Sequence, residues 1–182
     1  VTFPEYLDSV DRAPKAMNIL PYVPISPFLI WVLGMEDAKA GRKPTDAEHR
    51  ELCRLINEAM DAGACGWSAQ RMVPSGPAAV QRDYDGTPMP TDIMHDDTCR
   101  EFAKILRQRN EGFMQMLLIS GDNEKDRKFY EEMAEISGRP IIMNVVQAFD
   151  HKPEIHRATL KWLESCRDRG IRVVAQGLTT DA

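Results

Sequence analysis

Short apolar runs alternate along this chain with longer stretches whose hydrophobic residues recur at helical spacing. The runs are Ile19–Val23, Cys65–Ala69, Phe113–Ser120, Pro140–Gln147 and Ile171–Gln176. Segments such as Met114–Ile119 and Ile141–Val146 read as continuous apolar runs, which suits strands buried on both faces. Between the runs, the spacing predicts helices over Asp46–Ala62, Asp97–Arg109, Asn123–Ser137 and Pro153–Arg169. Leu52, Leu55, Ile56, Ala59 and Met60 share one face of the first. Cys99, Phe102, Ala103 and Leu106 do the same in the second, and Phe129, Tyr130, Met133 and Ala134 in the third. The fourth stripe is Ile155, Thr159, Trp162, Leu163 and Cys166. Helix ends are marked too. Thr45 and Glu48 form a capping box, Pro153 suits a first turn, and Gly63 and Gly170 stand where helices stop.

Strand and helix in repeated alternation predict an α/β fold with parallel strands and helices packed outside. In such folds, chemistry sits at the carboxyl ends of the strands. Those ends are Ser68–His95, Ser120–Asp122, Asn144–His151 and Gln176–Asp181. A closed barrel needs eight strand–helix units and ~250 residues. Two architectures therefore stand: an open twisted sheet, or an arc cut from a larger barrel. An arc leaves two edges of unpaired backbone groups, which invite pairing with another chain.

The 182 residues are enough for one core, so 1–182 is expected to be a single α/β domain. The net charge is −5 and the basic residues are scattered among acids, which excludes a phosphate-tracking face for nucleic acid. No apolar run reaches the ~18–20 residues of a membrane span. Pro24–Met35 is the most apolar stretch, and prolines interrupt it. Cys53, Cys99 and Cys166 fall on helix stripes, where free thiols act as small hydrophobes. With no Cys-x-x-Cys, a reduced, cytoplasmic setting is expected.

Candidate chemistry is sparse. Gln70–His95 is long and irregular, as functional loops are, and its Asp83-Tyr-Asp85-Gly86 reads either as a cation or ammonium site or as a solvated turn. Arg71 follows the strand end Ser68-Ala-Gln70. It is placed either to grip a carboxylate bidentately or as an ordinary surface arginine. Asn144, inside an apolar strand, must be hydrogen-bonded if buried, and either touches ligand or bridges strands. Asp150-His151 reads as a solvated pair, since adjacent residues rarely point the same way. His49 and His156 fall on exposed helix positions, and His95 precedes a helix. Asp122 reads as a helix cap rather than as part of an anion site at Ser120-Gly-Asp122. No His-x-His, His-Glu-x-x-His, Gly-x-Ser-x-Gly or P-loop is present.

Several segments together resemble the N-acyl-D-amino-acid deacylase (D-aminoacylase) branch of the amidohydrolase superfamily. They are Thr2-Phe-Pro-Glu-Tyr-Leu-Asp8, the helix-to-strand junction Glu58–Ser68, Asp83-Tyr-Asp-Gly-Thr-Pro-Met-Pro90, Gly138-Arg-Pro-Ile and Gly170–Gln176. The resemblance implies the middle of a longer chain, a partial (β/α)8 TIM-barrel segment. It implies hydrolysis of a C–N amide bond in an N-acyl-D-amino-acid-type substrate, with zinc a possible cofactor of the full-length protein. The family's first-strand His-x-His would lie upstream of Val1 and its late aspartate downstream of Ala182. The two strand histidines expected on Phe113–Ser120 and Pro140–Gln147 are missing, and Cys65 stands in a context unlike the family's metal cysteine. No metal ligand or catalytic residue is therefore assigned within this chain. Substrate contact is expected from Ser68, Arg71, Asn144 and Gln176, polar residues at strand ends. The expected partners are a small-molecule substrate, with no nucleic acid and no membrane, and either further copies of the chain or the remainder of the barrel. The segment alone is expected to be inactive. The alternatives are a barrel-derived domain that binds a carboxylate or amide ligand without metal, and an α/β domain that oligomerises through its sheet edges.

Overall fold

The computed structural model describes residues 1–72 and 82–178. It contains five strands: β1 (Val23–Pro24), β2 (Gly66–Met72), β3 (Phe113–Ile119), β4 (Ile141–Val146) and β5 (Val173–Gly177). The helices are α1 (Phe3–Arg12), α2 (Ile25–Leu33), α3 (Met35–Lys39), α4 (Asp46–Asp61), α5 (Asp96–Arg109), α6 (Asn123–Ser137) and α7 (Pro153–Asp168). All neighbouring strands are parallel and the sheet order is the chain order, β1-β2-β3-β4-β5. Parallel crossovers are right-handed, so an order that never reverses puts every crossover helix on the same face. A doubly wound sheet would reverse its order. The sheet is therefore an arc of barrel wall, with helices outside and an inner face that no helix among the described residues covers.

Burial follows that geometry. Trp67, Met114, Met116, Ile141, Met143 and Val173 point at the helices and join Phe102, Leu106, Met133 and Cys166 in one core. Trp67 meets Phe102 edge-on, with centroids 5.9 Å apart. Tyr130 of α6 donates its hydroxyl to Met116 O (3.0 Å) and accepts from Leu118 N (3.1 Å), pinning α6 to β3. Burial raises that phenol above its ordinary pKa. The intervening residues Ser68, Gln70, Gln115, Leu117, Ile142 and Asn144 are only half-buried. The expectation of strands covered on both faces is thus met on one face only.

The sequence expectation and the structure part company at the amino-terminal end. The strand expected over Ile19–Val23 is two residues long and begins at Val23; Ile19 and Leu20 are exposed. Prolines at 21 and 24 lack the N–H that a ladder needs. Three helices were not anticipated. α1 opens on a capping box, Thr2 with Glu5. α2 occupies the apolar stretch that prolines interrupt. Pro24 is its N-cap and Pro27 lies in its first turn, where a missing N–H costs little. β2 also runs on to Met72, three residues past the expected Ala69.

Cys99 and Cys166 are fully buried, and Cys53 and Cys65 partly so, all as free thiols. Burial pushes the thiols of Cys53, Cys99 and Cys166 up to about 11, well away from reactivity. Among the described residues, no helix is long and apolar enough to cross a membrane.

Candidate functional site

Side chains alternate across a strand, so β2, β3, β4 and β5 each send every second residue to the bare face. Register lines up the polar ones: Ser68 is level with Gln115, and Asn144 with Gln176. Ser68 Oγ donates to Gln115 Oε1 at 3.5 Å. Gln115 Nε2 donates to Asn144 Oδ1 at 3.0 Å and to Gln176 Oε1 at 3.5 Å. Four neutral hydrogen-bonding groups from four successive strands thus form one ladder, with Gln115 as its hub. Three of the four residues expected to touch substrate, Ser68, Asn144 and Gln176, come together here. Gln115 was not anticipated, although it is the one polar side chain in Phe113–Ile119.

Arg71 is not brought to this face. Its parity is that of Trp67 and Ala69, and it points to the helix side. There its guanidinium donates to Asp96 Oδ1 (2.7 Å) and to Met94 O (2.6 Å), beneath the Phe129 ring. It fastens the end of β2 to the start of α5.

A second unanticipated group borders the ladder. Asp92, 3% exposed, accepts from the backbone N–H of Met72 at 2.8 Å and more loosely from Gln70 Nε2. Burial raises its carboxyl above the ordinary value, opposed by these hydrogen bonds and by Arg71. It holds the returning loop against the end of β2.

The other candidates lie elsewhere. Asp83 and Asp85 clasp Lys39 at 2.9 and 2.5 Å, with Tyr84 against the same ammonium, so they form an ion-paired turn. Asp122 caps α6, accepting from Glu124 N and Lys125 N. His49 Nε2 lies 3.0 Å from Thr98 Oγ1, between α4 and α5. His95 is the N-cap residue of α5 without a side-chain cap bond, His151 stacks edge-on against Phe149, and His156 lies on α7. Cys65 Sγ approaches Leu20 O at 3.9 Å, and burial raises its pKa. Residues 73–81 of the long loop and Thr179–Asp181 lie outside the described residues. A groove of about 700 Å³ opens between α1, α2 and α4, lined by Phe3, Tyr6, Tyr22, Phe28 and Trp31 and reaching Pro24, the register neighbour of Ser68.

No protein-family model matches the chain. It is 36% identical over 78 residues to the N-acyl-D-aspartate deacylase of Alcaligenes xylosoxydans xylosoxydans, a stretch covering 43% of this chain and 15% of that protein. Among solved structures, it resembles a D-aminoacylase described as defining a novel subset of amidohydrolases. The TM-score is 0.70 and the identity 18%, covering 98% of this chain and 34% of the other. A D-aminoacylase studied for its binuclear metal centre matches with a TM-score of 0.68 and 19% identity. The resemblance to the D-aminoacylase branch and the barrel-segment fold both stand. The chain spans about a third of the length of those structures.

Metal is named for one of those relatives, so the donor set here matters. Among the described residues, no three His, Cys, Asp or Glu side chains lie together as a metal would need. The ladder is built of carboxamides and a hydroxyl, and the oxygens of Gln115, Asn144 and Gln176 are engaged in accepting from one another or from Ser68. Zinc takes imidazole, thiolate or carboxylate ligands. This face does not fit one.

Proposed function

We propose that this chain forms one wall of the substrate site of an amidohydrolase-like protein. The reaction is hydrolysis of the C–N amide bond of a small N-acyl-D-amino-acid-type substrate. The observation that carries the reading is the convergence of Ser68, Gln115, Asn144 and Gln176 on the inner face of an arc that matches D-aminoacylase. These side chains bind and orient substrate; Arg71 and Asp92 hold the end of β2 in place. The chemistry that activates water, including any zinc, belongs to residues outside this segment. Residues 1–182 form a single domain of that larger barrel and are inert alone. Free, unreactive thiols agree with a cytoplasmic setting.

The donor set of the inner face favours a second reading, in which the barrel binds an amide ligand and does not cleave it. One assay separates the two. The longest natural chain containing these residues should turn over N-acetyl-D-amino acids, and Asn144→Ala should lower kcat/KM by about tenfold or more, the loss of one to two good hydrogen bonds. Binding without turnover by that chain selects the second reading.

A further inference from the structure

The hydrogen-bond polarity of the ladder specifies which ligand atom it receives. Gln115 spends its Nε2 on the oxygens of Asn144 and Gln176, and its Oε1 on the Ser68 hydroxyl. The oxygens of Asn144 and Gln176 are therefore turned inward on the hub. What they present outward are Nδ2 and Nε2, carboxamide N–H groups without a protein partner among the described residues. They stand level on adjacent strands, partly or fully exposed. Two donors on one side of a concave wall call for an acceptor atom.

The charge of that acceptor follows from its neighbours. No Lys or Arg alternates onto this face within β2 to β5; Arg71, at the end of β2, is turned to the helices and bound by Asp96. Carboxylates are gripped by cationic, preferably bidentate, donors. The charged group that does border the face is Asp92, itself a carboxylate. An ammonium is disfavoured as well, because the oxygens of Asn144 and Gln176 face Gln115 rather than the open side of the wall.

We infer that Asn144 and Gln176 bind the oxygen of a neutral carbonyl, an amide or acyl oxygen, and that this wall discriminates against a carboxylate. The inference rests on the proposed substrate-wall role of the ladder. In an N-acyl amino acid, it assigns the acyl or amide oxygen to this wall and the carboxylate to another part of the site.

The test uses ¹⁵N-labelled 182-residue chain, with N-acetylglycinamide as the neutral probe and butyrate, a carboxylate of similar length with no amide oxygen, as its counterpart. The side-chain NH₂ resonances of Asn144 and Gln176 are read in each titration. The neutral probe should shift both, and its affinity should exceed that of butyrate. Asn144→Asp and Gln176→Glu, near-isosteric changes that replace the donors with acceptors, should each weaken the neutral probe about tenfold while circular dichroism stays unchanged. Equal or tighter binding of butyrate, or shifts that bypass both NH₂ groups, overturns the inference. So does zinc chloride shifting the Gln115 and Asn144 amides at one equivalent. Failure of the longer protein to hydrolyse amides sinks only the catalytic reading, since the probe titration is read without turnover.

Discussion

Gln115 donates to Asn144 Oδ1 at 3.0 Å, across the join of β3 and β4, and so fixes which way the Asn144 carboxamide faces. Nothing else among the described residues bonds that side chain. Gln115→Leu should therefore leave the fold nearly intact, because a half-exposed hydrogen bond is worth only about 1 kcal/mol. Recognition should suffer more, since freed amides present either end to a ligand. We expect a urea midpoint close to that of the parent and several-fold weaker binding of N-acetylglycinamide. A loss of stability above about 3 kcal/mol would show that the ladder is structural cement instead.

What the sequence made legible is what short-range physics controls. The capping box at Thr45 and Glu48, the stripe from Leu52 to Met60 and the first-turn Pro153 act within a turn or two, and α4 and α7 lie where these place them. β1 shrank and α2 went unseen because proline reads as a breaker, whereas at an N-cap or first turn it is harmless. The site was half legible. Ser68, Asn144 and Gln176 stand out as polar residues at strand ends. Arg71 is three positions from Ser68, and an odd separation puts two strand residues on opposite faces. That parity separates Arg71 from the others once β2 is known to continue past Ala69. Gln115 needed the β2–β3 register to reveal its neighbours. Asp92 sits in a loop whose contact with Met72 spans 20 residues, and no local signal announces it.

Of the glycines described, Gly66 leaves the least room for a side chain. Its φ is +132°, and an added Cβ would stand 1.9 Å from Phe113 O, a rigid atom at the start of β3. Gly66→Ala should cost more than about 3 kcal/mol, because strand β2 must move away from its partner. Gly86→Ala provides the control. Its φ is +79° with nothing within 4 Å, so only the conformational penalty of about 1 kcal/mol applies. Urea denaturation of the two variants should differ accordingly. Similar losses would argue against the close β2–β3 contact.

Asp92 should make the protein less stable as pH rises through the range just above the ordinary aspartate value. Its folded pKa is raised by burial, so the folded chain binds the proton more tightly than the unfolded chain does. Its contribution is therefore most favourable in acid and declines once the pH exceeds the unfolded pKa. Asp92→Asn keeps an oxygen for the Met72 N–H and removes the buried charge. It should match or exceed the parent in stability at pH 7, and flatten this part of the pH profile. Asp92→Ala strands the Met72 donor and should cost about 1–3 kcal/mol. Denaturation midpoints between pH 4 and 7 decide it; an Asp92→Asn variant as damaged as Asp92→Ala would mean that the charge itself is required.

Glu131 gives the opposite sign. Its carboxylate accepts from both Arg169 N–H groups at 2.7 and 2.8 Å, and from Trp162 Nε1 at 2.6 Å, so one side chain joins α6, α7 and the turn into β5. The Arg169 hydrogen bonds, opposed by partial burial and aided by Trp162, lower its pKa from 4.5 to about 2. A depressed folded pKa adds stability above the unfolded value, and that stability is lost as pH falls from about 4.5 towards 2. Arg169 is 46% exposed, so water screens the pair. The contribution should be about 1 kcal/mol. Glu131→Gln retains the bond from Trp162 and loses the charge, and should lower stability by that amount at pH 7 and by much less at pH 2.5. Urea titrations of parent and variant at both pH values measure the difference. A gap that stays constant with pH would show that packing of α6 on α7, rather than the ion pair, carries the contact.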